Sequence, residues 1–143
     1  MANLTVQIVR PDKLVYEGTM AHAILVTPTG ELGVWPGHSA MICALGDGVV
    51  RLTRPDERGG GVRKVVISGG YAEVKDDVVI VLADHARLAD DIEPEVVRQT
   101  MEEAQRHRDA LPEGDHRRAY FQNKIHWCQL LLEQSDKAKV QKK

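Results

Sequence analysis

Apolar and polar residues alternate from the start of the chain. In Leu4-Thr5-Val6-Gln7-Ile8 every second side chain is apolar, the pattern of a strand with one buried face. Comparable short runs follow at 13–17, which ends at Gly18, and at 23–26, which ends at Pro28-Thr29-Gly30. Others lie at 40–45, 49–53, 62–67, 70–74 and 78–82. Gly46-Asp47-Gly48, the 55–61 loop, Gly69-Gly70 and Asp76-Asp77 separate them as turns. Many short strands at this spacing predict a sandwich or barrel. The intervals leave no room for the crossover helices that a parallel sheet needs.

The period changes after Asp91. Glu93-Pro94-Glu95 is a helix start, with proline suited to the first turn and acids favoured at the positive end of the macrodipole. Val97, Met101 and Ala104 then share one face, which Arg108 interrupts. The stretch 111–115 breaks the helix, and Asp115 can cap the next one. In that second helix Phe121, Ile125, Cys128 and Leu132 form an apolar stripe, widened by Tyr120, Trp127 and Leu131. So short a loop predicts an antiparallel hairpin. The tail from Ser135 to Lys143, with four lysines and one acid, is expected to fray.

Composition sharpens the boundary. Eleven of the 12 glycines precede residue 92. Residues 1–91 carry 9 basic and 12 acidic side chains, and residues 92–143 carry 10 and 9. The first part is rich in Val, Ile, Gly and Thr and the second in Glu, Gln, Arg, Ala and Leu, which separates a β unit (1–91) from a helical one (92–143). At 143 residues and a net charge of −2, the chain has no basic excess with which to neutralise phosphates, so nucleic acid is not an expected partner. Aromatics at 4% provide few stacking platforms for bases. No apolar run approaches the roughly 20 residues that span a bilayer, and the N-terminus resembles neither a signal nor a transit peptide. Cys43 and Cys128 form no metal pair or disulfide framework, in keeping with a reducing compartment.

Catalytic chemistry finds little support. Ser68, in Ile67-Ser68-Gly69-Gly70, is not in a nucleophile elbow and reads as part of a structural turn. His38-Ser39 lacks a third group to orient it. Gly59-Gly60-Gly61 is followed by Val62-Arg63-Lys64 rather than the lysine and hydroxyl of a phosphate loop. The six histidines show no metal-ligand spacing, so no metal site is expected. The segment Gly30-Glu31-Leu32-Gly33-Val34-Trp35-Pro36-Gly37-His38 stands apart. Its glycines and proline predict a compact loop. Leu32, Val34 and Trp35 either plug the end of the sandwich or form an apolar contact anchor, with Glu31 and His38 as its polar rim.

That segment, with Ile67-Ser68-Gly69-Gly70-Tyr71-Ala72-Glu73-Val74 and Val79-Ile80-Val81-Leu82-Ala83-Asp84, resembles the epsilon-subunit family of F-type ATP synthases. The order and spacing of the three segments, and the helical hairpin after them, extend the resemblance over residues 3–134. It implies a β-sandwich of about ten short strands followed by a C-terminal antiparallel α-helical hairpin. It implies a non-catalytic rotor subunit of the central stalk, working in ATP synthesis and proton transport, with no catalytic residues of its own. The sandwich would pack on the gamma subunit and on the c-ring, the latter through Glu31, Leu32, Trp35 and His38. The hairpin, packed through Val97, Met101, Ala104, Phe121, Ile125, Cys128 and Leu132, would be mobile. It would fold against the sandwich or extend along gamma into the alpha/beta catalytic head and inhibit hydrolysis there. The resemblance places such a chain peripherally on the cytoplasmic side of the inner membrane, reaching the membrane only through the complex.

Some members bind ATP through I/L-D-x-x-R-A at the start of the first helix. The nearest match here is Glu95-x-x-Arg98, with acid and alanine both substituted and Pro94 altering the approach. The second helix has only Lys124 after Arg118 and before the tail, where ATP-binding members place arginines. Both departures count against ATP as a regulatory ligand, and no cofactor is expected. The competing reading is a free-standing β-sandwich interaction or ligand-binding module. An enzyme would need a convergent polar site that the sequence does not show.

Overall fold

The structure is a computed structural model that describes the backbone of residues 2–141 and the side chains of residues 2–135. The chain divides into two compact units, Met1–Asp90 and Asp91–Lys143, one residue from the boundary read from composition. The first unit holds β1 (Leu4–Arg10), β2 (Lys13–Met20), β3 (His22–Thr27), β4 (Gly30–Val34) and β5 (Met41–Ala44). It continues with β6 (Gly48–Thr53), β7 (Val62–Ser68), β8 (Tyr71–Lys75), β9 (Val78–Leu82) and β10 (His85–Leu88). These form two five-stranded sheets, β2-β1-β9-β8-β5 and β10-β7-β6-β3-β4.

Alternation places the core. Leu4, Val6 and Ile8 of β1 are buried, as are Val50 and Leu52 of β6, Val65 and Ile67 of β7, and Val79 and Val81 of β9. They belong to one cluster in which residues of both sheets meet. Each fully buried side chain of this size contributes about 1.5–3 kcal/mol.

Two strands escaped the pattern. β4 occupies residues 30–34, where the glycines predict a loop. Its pairing with β3, from Thr27↔Gly30 to Ala23↔Val34, explains why glycine is accepted there. Gly30 has φ +141° at the strand's start, and a Cβ on Gly33 would lie 2.2 Å from Cζ3 of Trp35. β10 is only four residues long and too brief for a visible alternation. One strand relation also differs. β1 and β9 run parallel, with Thr5↔Val78 to Val9↔Leu82 in register, although the sheets contain no crossover helix. Strands of the second sheet carry the chain across instead.

In the second unit α1 spans Pro94–Asp109 and α2 spans Arg117–Gln141. Pro94 stands at the first helical position, and the extended Glu93 makes no side-chain capping bond. Val97, Ala104, Ile125, Cys128 and Leu131 are buried, and Met101, Phe121 and Leu132 are half-buried. Tyr120 does not widen the stripe: it is 64% exposed, with its ring edge-on to Phe121 at 5.1 Å. α2 continues past Ser135 to Gln141, into the stretch expected to fray; Lys142 and Lys143 lie outside the described residues. Neither helix is long and apolar enough to cross a membrane, as judged on the described residues.

Residues 1–91, expressed alone, are expected to show β-type circular dichroism and a cooperative melt, because the clustered core lies within residues 4–86. Gly70 is the most constrained turn position. At its φ of +103°, an added Cβ would stand 2.0 Å from the carbonyl oxygen of Leu82. Gly70→Ala is expected to destabilise the sandwich by more than about 2 kcal/mol, read from the shift of a urea-unfolding midpoint.

Candidate functional site

The segment 30–38 is not one loop but a strand followed by a turn, and this separates the residues expected to act together. Glu31 sits beside the Pro28-Thr29 turn, where the Thr27 hydroxyl donates to the Gly30 carbonyl at 2.7 Å. Its carboxylate pairs with the Arg51 guanidinium at 2.9 Å, across β3, with both side chains about half exposed. A cleft of about 400 Å³ opens here, lined by residues 27–32 together with Cys43 and Ala44 of β5. Trp35 and His38 lie past the other end of β4. At roughly 3.3 Å per residue, Glu31 and Trp35 are about 13 Å apart along the strand, so Glu31 and His38 do not form one rim. Val34 plugs the core, Leu32 packs against it, and Trp35 remains 52% exposed. Val34 and Leu32 thus take the plugging role, and Trp35 is left largely at the surface.

The Trp35 end is built from several strands. The indole stacks on His22 of β3, with ring centroids 4.8 Å apart and planes 14° from parallel. The His38 amide donates to the Trp35 carbonyl at 3.1 Å, and its ring Nδ1 lies 2.7 Å from the Ser39 carbonyl, a bond in which the ring donates. Asp77 anchors the turn. Its carboxylate accepts the Gly37 amide at 2.8 Å, while its carbonyl accepts the Thr5 amide at 2.9 Å. Asp76 and Asp77, at φ +51° and +62°, form the tight β8–β9 turn that brings this about.

A second surface was not singled out from sequence. Tyr71 on β8, Ile42 on β5 and Val78 on β9 point outward from the first sheet, since their chain neighbours Ala72, Met41 and Cys43, and Val79 pack inward. The register sets Ile42 opposite Glu73, Tyr71 opposite Leu82 and Val78 opposite Lys75. Ile42 is 72% exposed. The signal was present in Val78-Val79-Ile80-Val81-Leu82, a run with no polar residue at its solvent-facing positions.

Groups considered for chemistry have structural partners. The Ser68 hydroxyl donates to Asp47 at 2.7 Å. Among the described residues no three or more His, Cys, Asp or Glu are arranged to hold a metal. In the hairpin, Glu95 and Arg98 pair with each other one turn apart. Asp115 does cap: it accepts the Arg117 amide at 2.9 Å. The Arg117 guanidinium first, and that amide second, hold the Asp115 carboxyl well below the usual carboxylate range.

These surfaces can be compared with known proteins. The family described as ATP synthase, delta/epsilon chain, β-sandwich domain matches residues 3–89. An ATP synthase epsilon chain of Microcystis aeruginosa is 34% identical over 125 residues, covering 87% of this chain and 88% of the relative. One from Halalkalibacterium halodurans is 40% identical over 106 residues, covering 74% and 77%. Among solved structures, a chain of the Euglena gracilis mitochondrial ATP synthase, in a cryo-EM assembly that includes the c-ring, superposes with a TM-score of 0.64 at 25% identity, covering 98% of this chain and 82% of that one. A chain of the central stalk and c-ring of the Tetrahymena thermophila enzyme shares the fold, with a TM-score of 0.51 at 14% identity, covering 94% and 97%.

The Glu31–Arg51 pair is solvent-exposed, and such pairs are worth about 0–1 kcal/mol. Glu31→Gln is therefore expected to move the melting temperature of the isolated chain by no more than a few degrees. A larger shift in a thermal melt would give Glu31 a role in the fold rather than at the surface.

Proposed function

The chain belongs to the ATP synthase delta/epsilon-chain family, and on that premise we propose that it is a rotor part without chemistry of its own, coupling the catalytic head to the c-ring through its sandwich and restraining hydrolysis through its hairpin. The match over almost the whole sandwich carries the reading. The distribution of surface supports it: side chains suited to protein contact, Trp35, Ile42 and Tyr71, are exposed, and the Ser68 hydroxyl and the His38 ring are held in local hydrogen bonds.

The β4 edge, with Glu31 and Leu32 near one end and Trp35 and His38 past the other, is the surface proposed to meet the ring. Exposed charges there favour register and selectivity over raw affinity. The outer face of the first sheet, with Ile42, Tyr71 and Val78 uncovered, suits a broad protein partner, and gamma is the one this reading names. The complex would hold the chain peripherally, on the cytoplasmic side of the membrane. The departures from the ATP-binding pattern, a different acid at Glu95, no alanine after Arg98 and no arginine in the second helix after Arg118, count against ATP as a regulatory ligand in this reading.

The hairpin has the energetics of a switch. Along the stripe its packing is apolar and non-directional, so much of it survives if the stripe finds another apolar surface. The difference between two such states is then a few kcal/mol, a range a partner can shift. Arg98, Arg106, Arg108, Arg117 and Lys124 supply positive charge for acidic segments of the catalytic head.

Deleting residues 92–143 in the reconstituted complex tests this. Assembly and proton pumping are expected to persist while ATP hydrolysis rises. Loss of coupling, or unchanged hydrolysis under inhibiting conditions, would make the hairpin structural. A chain that fails to co-purify with a gamma-like partner would favour the free-standing module.

A further inference from the structure

The two ends of the hairpin are held by different physics. At the open end and along the middle, α1 and α2 bury apolar side chains: Val97, Ala104, Ile125, Cys128 and Leu131. At the turn the ties are polar and directional. Arg118 Nη1 donates to the carbonyl of Arg108 at 2.7 Å and to that of Leu111 at 2.9 Å. Arg108 Nη1 donates to Gln122 Oε1 at 2.8 Å. The His107 and Phe121 rings stack, with centroids 5.2 Å apart. All of these span the end of α1 and the beginning of α2.

We propose that Arg118 is a clasp: by bridging the Arg108 carbonyl in the last turn of α1 and the Leu111 carbonyl just past it, it keeps the helices folded back on each other, and separating them requires breaking this contact first. The Arg108 carbonyl also accepts the Leu111 amide at 3.1 Å, so the guanidinium adds a second donor there, and as a cation it meets the negative end of the macrodipole. Arg118 supplies both the donor and the charge. Its two acceptors lie ten and seven residues upstream, so the bonds exist only while the chain reverses. Were the turn to straighten into a continuous helix, ten residues would set Arg108 and Arg118 about 15 Å apart, beyond the reach of an arginine. The apolar stripe can exchange one greasy partner for another. The clasp cannot, because its geometry belongs to this turn. Arg118 is therefore a positioning residue that sets how often the hairpin opens, whatever surface then receives the helices.

Hydrogen–deuterium exchange on the full chain, with Arg118→Met and Arg118→Lys, tests the clasp. Hydrogen bonds to charged groups are worth more than neutral ones, so exchange in residues 106–122 is expected to accelerate about tenfold in the Met variant. Lysine keeps the charge but loses the rigid fork, so it should restore protection in part. Exchange in the sandwich strands should stay unchanged. Unaltered exchange in 106–122, or equal loosening of hairpin and sandwich, would overturn the proposal. ATP hydrolysis by the reconstituted complex adds an arm that rests on the reading of the hairpin as a brake. If an open hairpin brakes the enzyme, Arg118→Met lowers hydrolysis. Faster exchange with unchanged hydrolysis would support the clasp and overturn the brake.

Discussion

The parallel pairing of β1 with β9 is the contact on which the sandwich depends. It joins the first strand of the unit to one of the last, within a single sheet and in register from Thr5↔Val78 to Val9↔Leu82. The ladder is extended at both ends, by the Thr5 amide on the Asp77 carbonyl and by the Ala83 amide on the Val9 carbonyl. β1 also contributes Leu4, Val6 and Ile8 to the core. Because the pairing is long-range, its loop-closure entropy is repaid only when the intervening strands have packed.

The functional surfaces follow from that closure. The β8–β9 turn is placed by the same ladder, and its Asp77 carboxylate holds the Gly37 amide. Trp35 thus owes its position to a turn some forty residues further along the chain as well as to the stacked His22 beside it. The outer face of the first sheet arises from the same pleat: once alternate residues of β8 and β9 are committed to the core, Tyr71 and Val78 have only the solvent side. A fold built this way offers exposed faces and edges, which suits transmission of force between partners. The helical unit is organised differently, with a forgiving apolar stripe along its length and a demanding polar turn at one end.

Much of this was legible in the sequence because it depends on local periodicity. Period-two alternation at Leu4-Thr5-Val6-Gln7-Ile8, the glycine turns, the loss of glycine after residue 91 and the i, i+4, i+7 stripe through Phe121, Ile125 and Cys128 all report which face of a local element is buried. They determined a β unit, a helical hairpin and the boundary between them, and the three segments resembling the epsilon family pointed to a rotor part. What only the tertiary structure decided concerns partners distant along the chain. Gly30 to Val34 carries a loop's composition yet is a strand, because β3 supplies its hydrogen bonds and the Trp35 indole fills the space a side chain at Gly33 would need. That strand divides Glu31 from His38. Likewise, β1 and β9 run parallel although no helix links them, and what Arg118 meets is decided only by where α1 ends. Periodicity records whether a residue is buried, not against what, and the pairing of strands and the capping of a turn are set by geometry that no window of neighbouring residues contains.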